Sequence, residues 1–376
     1  MKRHAFTGAA LVCLLPFPVL DGPARLVLPA TLVALFAGAV RWCMDSARAW
    51  PVPPLSPRRA RNFVGAISLL LFLVTWWRVA VPMLDQHRDY LLTGDQPAYL
   101  YVADSIVKDG DLDVSNNTLT NGIYHGRGGH HAGGVKRHNF DLRADTPEFA
   151  AREAAFGDAW YPTHRIGVSL LIAPLYAIGE WLGDYHRALV CLLLIAAMAA
   201  ALRDIAASAM LLGVAPWSAL GFGIAAALTV PVASLSTAIF PEIFVFLMMA
   251  RLMRHALERR CDARANLELA AWLALAPWLQ DKYVAWALPF VLARLALLWR
   301  TPRALIVPAI PVMVSAALAI HWHLLLYGQW LPKNALGKFV PLLEALPRGI
   351  GGMWWDWGFG LAALVPACVL APAGLR

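Results

Sequence analysis

Four polar points could do chemistry in an otherwise apolar chain of 376 residues. Asp95 opens an amphipathic pattern in which Tyr99, Val102, Ala103, Ile106 and Val107 recur at helical spacing until Asp109-Gly110 offers a stop. A carboxylate there either caps the helix or presents an acid for chemistry. Glu242 follows Pro241, where a helix-start carboxylate is favoured by the dipole. Asp281 and Lys282 interrupt two apolar runs. Lys282 either pairs with Asp281, anchors at the membrane interface, or holds an anion, for which phosphate suits a compact ammonium. His164 and Arg165 are interface decoration or further donors to phosphate oxygens.

The elements that must position these groups are membrane helices. Hydrophobic residues make up 59% of the chain and charged residues 15%, well below the roughly 25% charged of soluble domains. Water is therefore not its main solvent. The formal net charge of +8 falls in short Arg clusters between apolar runs, the pattern of membrane topology and not of nucleic-acid binding. Cys13, Cys43, Cys191, Cys261 and Cys368 lack any CxxC spacing, which argues for unpaired thiols without a metal or redox role. Met-Lys-Arg-His followed by an apolar run resembles a signal peptide, but Pro16, Pro18 and Asp21 replace a cleavage site, and an uncleaved anchor is expected.

A spanning helix needs about 20 apolar residues, and Lys and Arg in short loops set its orientation. Residues 5–20 and 26–42 form a first hairpin leading to a basic cytoplasmic linker, with Pro51 to Pro57 as a stiff spacer, so that 1–61 stands apart from 62–376. Residues 62–84 cross outward and deliver the long polar loop 85–163 to the extracytoplasmic side. Its glycine-rich middle, 122–134, is a flexible flap, and His125, His130 and His131 lack the companions of a metal site. If 166–182 crossed, Arg251, Arg254, Arg259, Arg260 and Arg264 would all face outward. That segment is therefore juxtamembrane or re-entrant. Further spans at 187–203, 205–230, 243–257, 265–279, 283–300, 304–326 and 359–375 complete ten crossings with both ends cytoplasmic. The chain stops abruptly at Arg376, so whether it is a fragment stays open. Asp95, Glu242 and Asp281-Lys282 fall on one outer surface.

In that order the motifs carry a resemblance. Gly-Asp-Gln-Pro-x-Tyr-Leu with Ala-x-Ser and Asp-Gly-Asp-Leu resembles the first-loop acidic motif of GT-C-type membrane glycosyltransferases, among them protein O-mannosyltransferases and lipid A aminoarabinose transferases. Tyr161-Pro-Thr-His-Arg is similar to their second juxtamembrane motif, Phe240-Pro-Glu to a later acidic point, and Asp281-Lys-Tyr-Val-Ala-Trp-Ala-Leu-Pro289 to a Lys-Gly-Pro hairpin. The likeness spans roughly residues 62–330. It departs where the family commonly carries a second acid, since that position is Gln96, and no large extracytoplasmic C-terminal domain follows.

The resemblance implies an all-α polytopic membrane protein, a GT-C-like helical bundle with juxtamembrane helices in its long first outer loop, in the bacterial cytoplasmic membrane with its site outside. It implies a polyprenyl-phosphate-linked sugar as donor, an extracytoplasmic acceptor (glycan, lipid or protein), membrane lipids as surroundings, no nucleic acid, and inversion at the anomeric carbon. Asp95 would then take or orient the acceptor proton, and Glu242 would place substrate hydroxyls. Lys282, His164 and Arg165 would stabilise the leaving phosphate, with Gln96, Tyr99 and Asp281 lining the substrate. With cations in that role no cofactor is required, no metal ligands are assigned, and the sequence does not forbid a divalent ion. Rival expectations are a transporter or flippase for a lipid-linked sugar, which would show intramembrane charges but also an inverted repeat, and a non-catalytic membrane assembly protein.

Overall fold

A computed structural model of the chain describes residues 54–86, 95–115, 135–137, 146–157, 159–162, 164–183, 185–258, 262–298 and 302–327. Nearly all belong to one compact unit, residues 56–228 and 232–336; the other unit, 1–55, 229–231 and 337–376, lies almost wholly outside the described residues. The expected first hairpin, the last span and the histidines of the glycine-rich stretch fall outside them as well.

Eleven helices are present among the described residues: α1 Pro57–Gln86, α2 Gln96–Lys108, α3 Pro147–Phe156, α4 Gly167–Trp181, α5 His186–Leu211, α6 Pro216–Ala227, α7 Val230–Leu235, α8 Pro241–Glu258, α9 Ala263–Leu279, α10 Asp281–Leu298 and α11 Pro302–Tyr327. Strands β1 Val135–Arg137 and β2 Trp160–Pro162 pair antiparallel, with Lys136 opposite Tyr161. The described residues are thus mostly helical, and among them α1 over Pro57–Trp77, α5, and α11 over Ala309–Leu326 are long and apolar enough to cross a membrane. These features fit an all-α membrane protein; the small sheet and α3 are additions that the glycine-rich loop and its polar flank did not announce.

Local chemistry explains the boundaries. The Ser56 hydroxyl accepts the Arg59 N–H at 3.3 Å, and Pro57 takes the first helical position, so the stiff linker becomes a helix start. Helix α2 stops at Asp109, and Gly110 follows with φ +74, the left-handed conformation that favours glycine. Asp262 caps α9 by accepting from the Ala265 N–H at 2.9 Å.

Helix α5 is the centre of the unit, packed between α1 and α8. It runs unbroken through Asp204, which corrects the expectation of two spans meeting near that residue. Asp204 is no loop charge. It is fully buried, with Arg251 Nε 2.5 Å from Oδ2 and Arg254 paired to Oδ1. Paired charges let the helix continue to Leu211, and Gly213 at φ +95 makes the turn. Helix α6 is left with 12 residues, about 18 Å of rise and too short for the 205–230 span.

Contacts place the ends of the helices. Tyr283 at the start of α10 reaches Glu242 at the start of α8, and Cys191 near the start of α5 contacts the Thr237 carbonyl just before α8. At the far ends, Arg254 of α8 meets Asp204 of α5, and Arg251 binds Glu268 of α9. Helix α4 packs against α2 and α5 and meets α9. Its Gly167 lies against Trp278 at the close of α9, and its Gly179 against His186 at the start of α5. At 15 residues α4 rises about 22 Å, less than a helix of about 20 residues needs to span a membrane.

Candidate active site

Helix α2 lies beside α4 at this end, and polar anchors hold the two in register. Ser169 donates to the Tyr99 carbonyl at 2.9 Å, and the Tyr176 hydroxyl donates to Asp104 Oδ1 at 2.8 Å. Lys108 closes the far end of the pair, with Nζ 2.8 Å from Asp104 and 3.1 Å from Glu180. Burial pulls the Lys108 ammonium down, but the bonds to Asp104 and Glu180 outweigh it and hold the group above its ordinary value. A buried carboxylate with two such partners fixes α2 firmly. The start of α2 is thereby held in place.

Asp95 occupies the N-cap position of α2, yet its side chain makes no capping hydrogen bond. Its Oδ1 instead stands 3.2 Å from His164 Nε2. The capping role is therefore not the one this carboxylate plays. Next to it, Gln96 is buried, and its Oε1 accepts the Ile239 N–H at 3.0 Å. That bond fastens the start of α2 to the link that opens α8. Glu242 stands in the first turn of α8 and accepts from the Tyr283 hydroxyl at 2.7 Å.

Tyr99 lies between these groups. Its ring is 5.7 Å from that of His164, and the side chain is 2% exposed with a buried hydroxyl that has no hydrogen-bond partner among the described residues. Burial pushes this hydroxyl above its ordinary value, and the charges of Asp95 and Glu242 add to the shift. It remains a neutral O–H donor through the neutral range. A buried phenol without a partner is uncommon and marks a place where a ligand oxygen could bind.

The structure thus brings Asp95, Gln96, Tyr99, His164 and Glu242 to one end of the bundle. Arg165 lies beside His164 in sequence but turns to α11, donating to the Ala319 carbonyl at 3.3 Å. Asp281 and Lys282 open α10 directly before Tyr283, so their backbone stands at the same end; their side chains are outside the described set. Tyr283 was missed in the sequence, although it follows Asp281-Lys282 immediately. The available signal was an aromatic hydroxyl at the mouth of an apolar hairpin, where a partner carboxylate is expected.

An apolar cavity of about 340 Å³ lies beneath this end, lined by Leu171 of α4, Leu193 and Ala197 of α5, Phe244 and Leu247 of α8, and Trp272 of α9. Phe244 is two residues beyond Glu242, which puts the two side chains on different faces of α8. Among the described residues no three metal-ligating side chains converge.

No family model, curated protein or solved structure matches this chain. Two carboxylates, each held by a named partner, stand near a buried phenol and above an apolar cavity. Such a set can orient hydroxyl groups and accept a proton at one edge, while apolar chain is accommodated below.

Proposed function

We propose that the chain is a GT-C-type membrane glycosyltransferase, moving a sugar from a polyprenyl-phosphate donor to an acceptor hydroxyl on the extracytoplasmic face of a bacterial cytoplasmic membrane. The observation that carries this reading is the side chain of Asp95, released from its helix and held by His164 at the same end as Glu242. A carboxylate used only as a cap would have no reason to face a histidine.

In the reaction proposed, the acceptor oxygen attacks the anomeric carbon opposite the polyprenyl phosphate, whose bond to that carbon breaks with inversion. Asp95 takes the acceptor proton, and His164 orients the carboxylate from its other side. Glu242, positioned by Tyr283, holds sugar hydroxyls, and the Tyr99 hydroxyl donates to a substrate oxygen. Lys282, with Arg165 at the margin, balances charge on the departing phosphate. The apolar cavity between α4, α5, α8 and α9 takes the first isoprene units. No step draws on a cofactor.

The test is sugar transfer in membranes containing the full chain, supplied with a lipid-linked sugar and an acceptor. Asp95→Asn keeps the size of the side chain and a hydrogen bond to His164, so folding is expected to persist. Loss of a positioned base lowers the rate by about 10²- to 10⁴-fold. Transfer at the wild-type rate by Asp95→Asn refutes the mechanism.

A further inference from the structure

The opposite end of the bundle carries a different charge pattern. Asp204 is taken on both oxygens by Arg251 and Arg254; Glu268 is taken by Arg251 at 2.7 Å and faces His255 at 3.2 Å; and Glu258 lies 3.5 Å from Arg254 Nε. Two further guanidinium groups complete the cluster without a carboxylate of their own. Arg203, next to Asp204 on α5, lays its stem over Gly65 of α1, where an added Cβ would come 3.4 Å from Arg203 Cδ. Arg61, one turn before Gly65, stands in the direct field of Arg203 and Arg254, opposed by Asp204 and Glu258.

Neither Arg61 nor Arg203 forms an ion pair among the described residues, and the Nε of each is buried without a hydrogen-bond partner. Four guanidinium groups thus share three carboxylates in a partly buried setting. Excess positive charge there is costly unless an anion joins it. The Nε of each guanidinium is enclosed, so protein covers part of each head group. Just beyond the pair, α1 exposes Phe63, Leu70, Val74 and Trp77. Basic groups thus stand at the head of an apolar stripe, on a helix long enough to cross a membrane.

We propose that Arg61 and Arg203 bind a phosphate-class anion at the seam between α1 and α5, at the end of the bundle opposite Asp95. Forked guanidinium donors suit the paired oxygens of a phosphate or phosphodiester. Its source is either the headgroup of an anionic phospholipid, whose chains would follow the α1 stripe, or a soluble phosphate. The site does not depend on glycosyl transfer.

The full chain purified in detergent is titrated with phosphatidylglycerol, phosphatidylcholine or inorganic phosphate, and binding is followed by native mass spectrometry and thermal unfolding. Phosphatidylglycerol is expected to bind and stabilise, phosphatidylcholine to do so far less. Arg61→Gln or Arg203→Gln weakens binding roughly tenfold, as for loss of a charge-assisted hydrogen bond, and the double variant adds little more. Arg203→Lys keeps the stem on Gly65 and the charge, so it reports the loss of the fork in a folded protein. Inorganic phosphate binding with the same arginine dependence supports the site with a soluble source. Equal binding of both lipids, wild-type affinity in Arg61→Gln and Arg203→Gln, or an equal loss in the exposed Arg58→Gln each overturns the proposal.

Discussion

Replacing Gln96 by Met tests whether one buried amide sets the distance between the two carboxylates. Gln96 is 3% exposed and Ile239 is fully buried, so the bond from the Ile239 N–H to Gln96 Oε1 at 3.0 Å is out of reach of water. Methionine fills nearly the same volume but offers no comparable acceptor. The Ile239 N–H is then buried without a partner, at a cost of about 1–3 kcal/mol; the added apolar surface offsets less than about 1 kcal/mol of that. A net loss of about 1–2 kcal/mol is expected in denaturant unfolding of the detergent-solubilised protein. Gln96→Glu keeps an acceptor but places a second carboxylate beside Asp95 in a buried position, so its penalty is expected to shrink as pH falls and the new carboxyl protonates. If Gln96→Met unfolds within about 0.5 kcal/mol of wild type, the usual range of neutral surface changes, the clamp is not what joins α2 to α8.

Two further outcomes follow from the packing of α2, α4 and α5. Gly179→Ala would place a Cβ 2.1 Å from His186 Cα; both atoms belong to backbone or its first carbon, so the α4–α5 corner has to open, and a loss of about 3 kcal/mol or failure to fold is expected in size-exclusion and unfolding assays. Lys108 is held above its ordinary value by Asp104 and Glu180; its stabilisation is fully present below the ordinary lysine range and is lost as pH rises through the folded value. The difference in unfolding midpoint between wild type and Lys108→Met is therefore expected to close above about pH 10.5, and a difference independent of pH contradicts the ion-pair account.

Much of this was legible because it rests on period and punctuation. The helical spacing after Asp95 and the stop at Asp109-Gly110 anticipate α2, and the polar break at Gln280 anticipates the α9–α10 hairpin. Arginine placement alone assigned 166–182 to one face, and the structure has there a 15-residue apolar helix with Pro174 inside it. Asp204 was misread because charge in an apolar run signals a loop only when its partners are unknown. Arg251 and Arg254 lie some fifty residues away, and nothing local announces them. The same holds for Tyr283 and Glu242, whose contact depends on two helices starting side by side. Period reveals faces; long-range polar pairing is set by tertiary structure.

Asp95 shows how a local rule prepares a long-range contact. An N-cap carboxylate normally accepts from the N–H of the second or third helical residue. In α2 the second helical residue is Pro97, which has no N–H, and the backbone carbonyl of Asp95 already accepts from the Tyr99 N–H at 3.4 Å. One of the two donors a cap would satisfy is missing, so the gain from capping is reduced. The first helical residue, Gln96, turns its amide to Ile239 and fixes where the helix begins. With its start held by that amide and its first turn preset by proline, α2 has little need of the Asp95 side chain. The carboxylate is free to face His164, and the order Asp-Gln-Pro supplies both the freedom and the anchor.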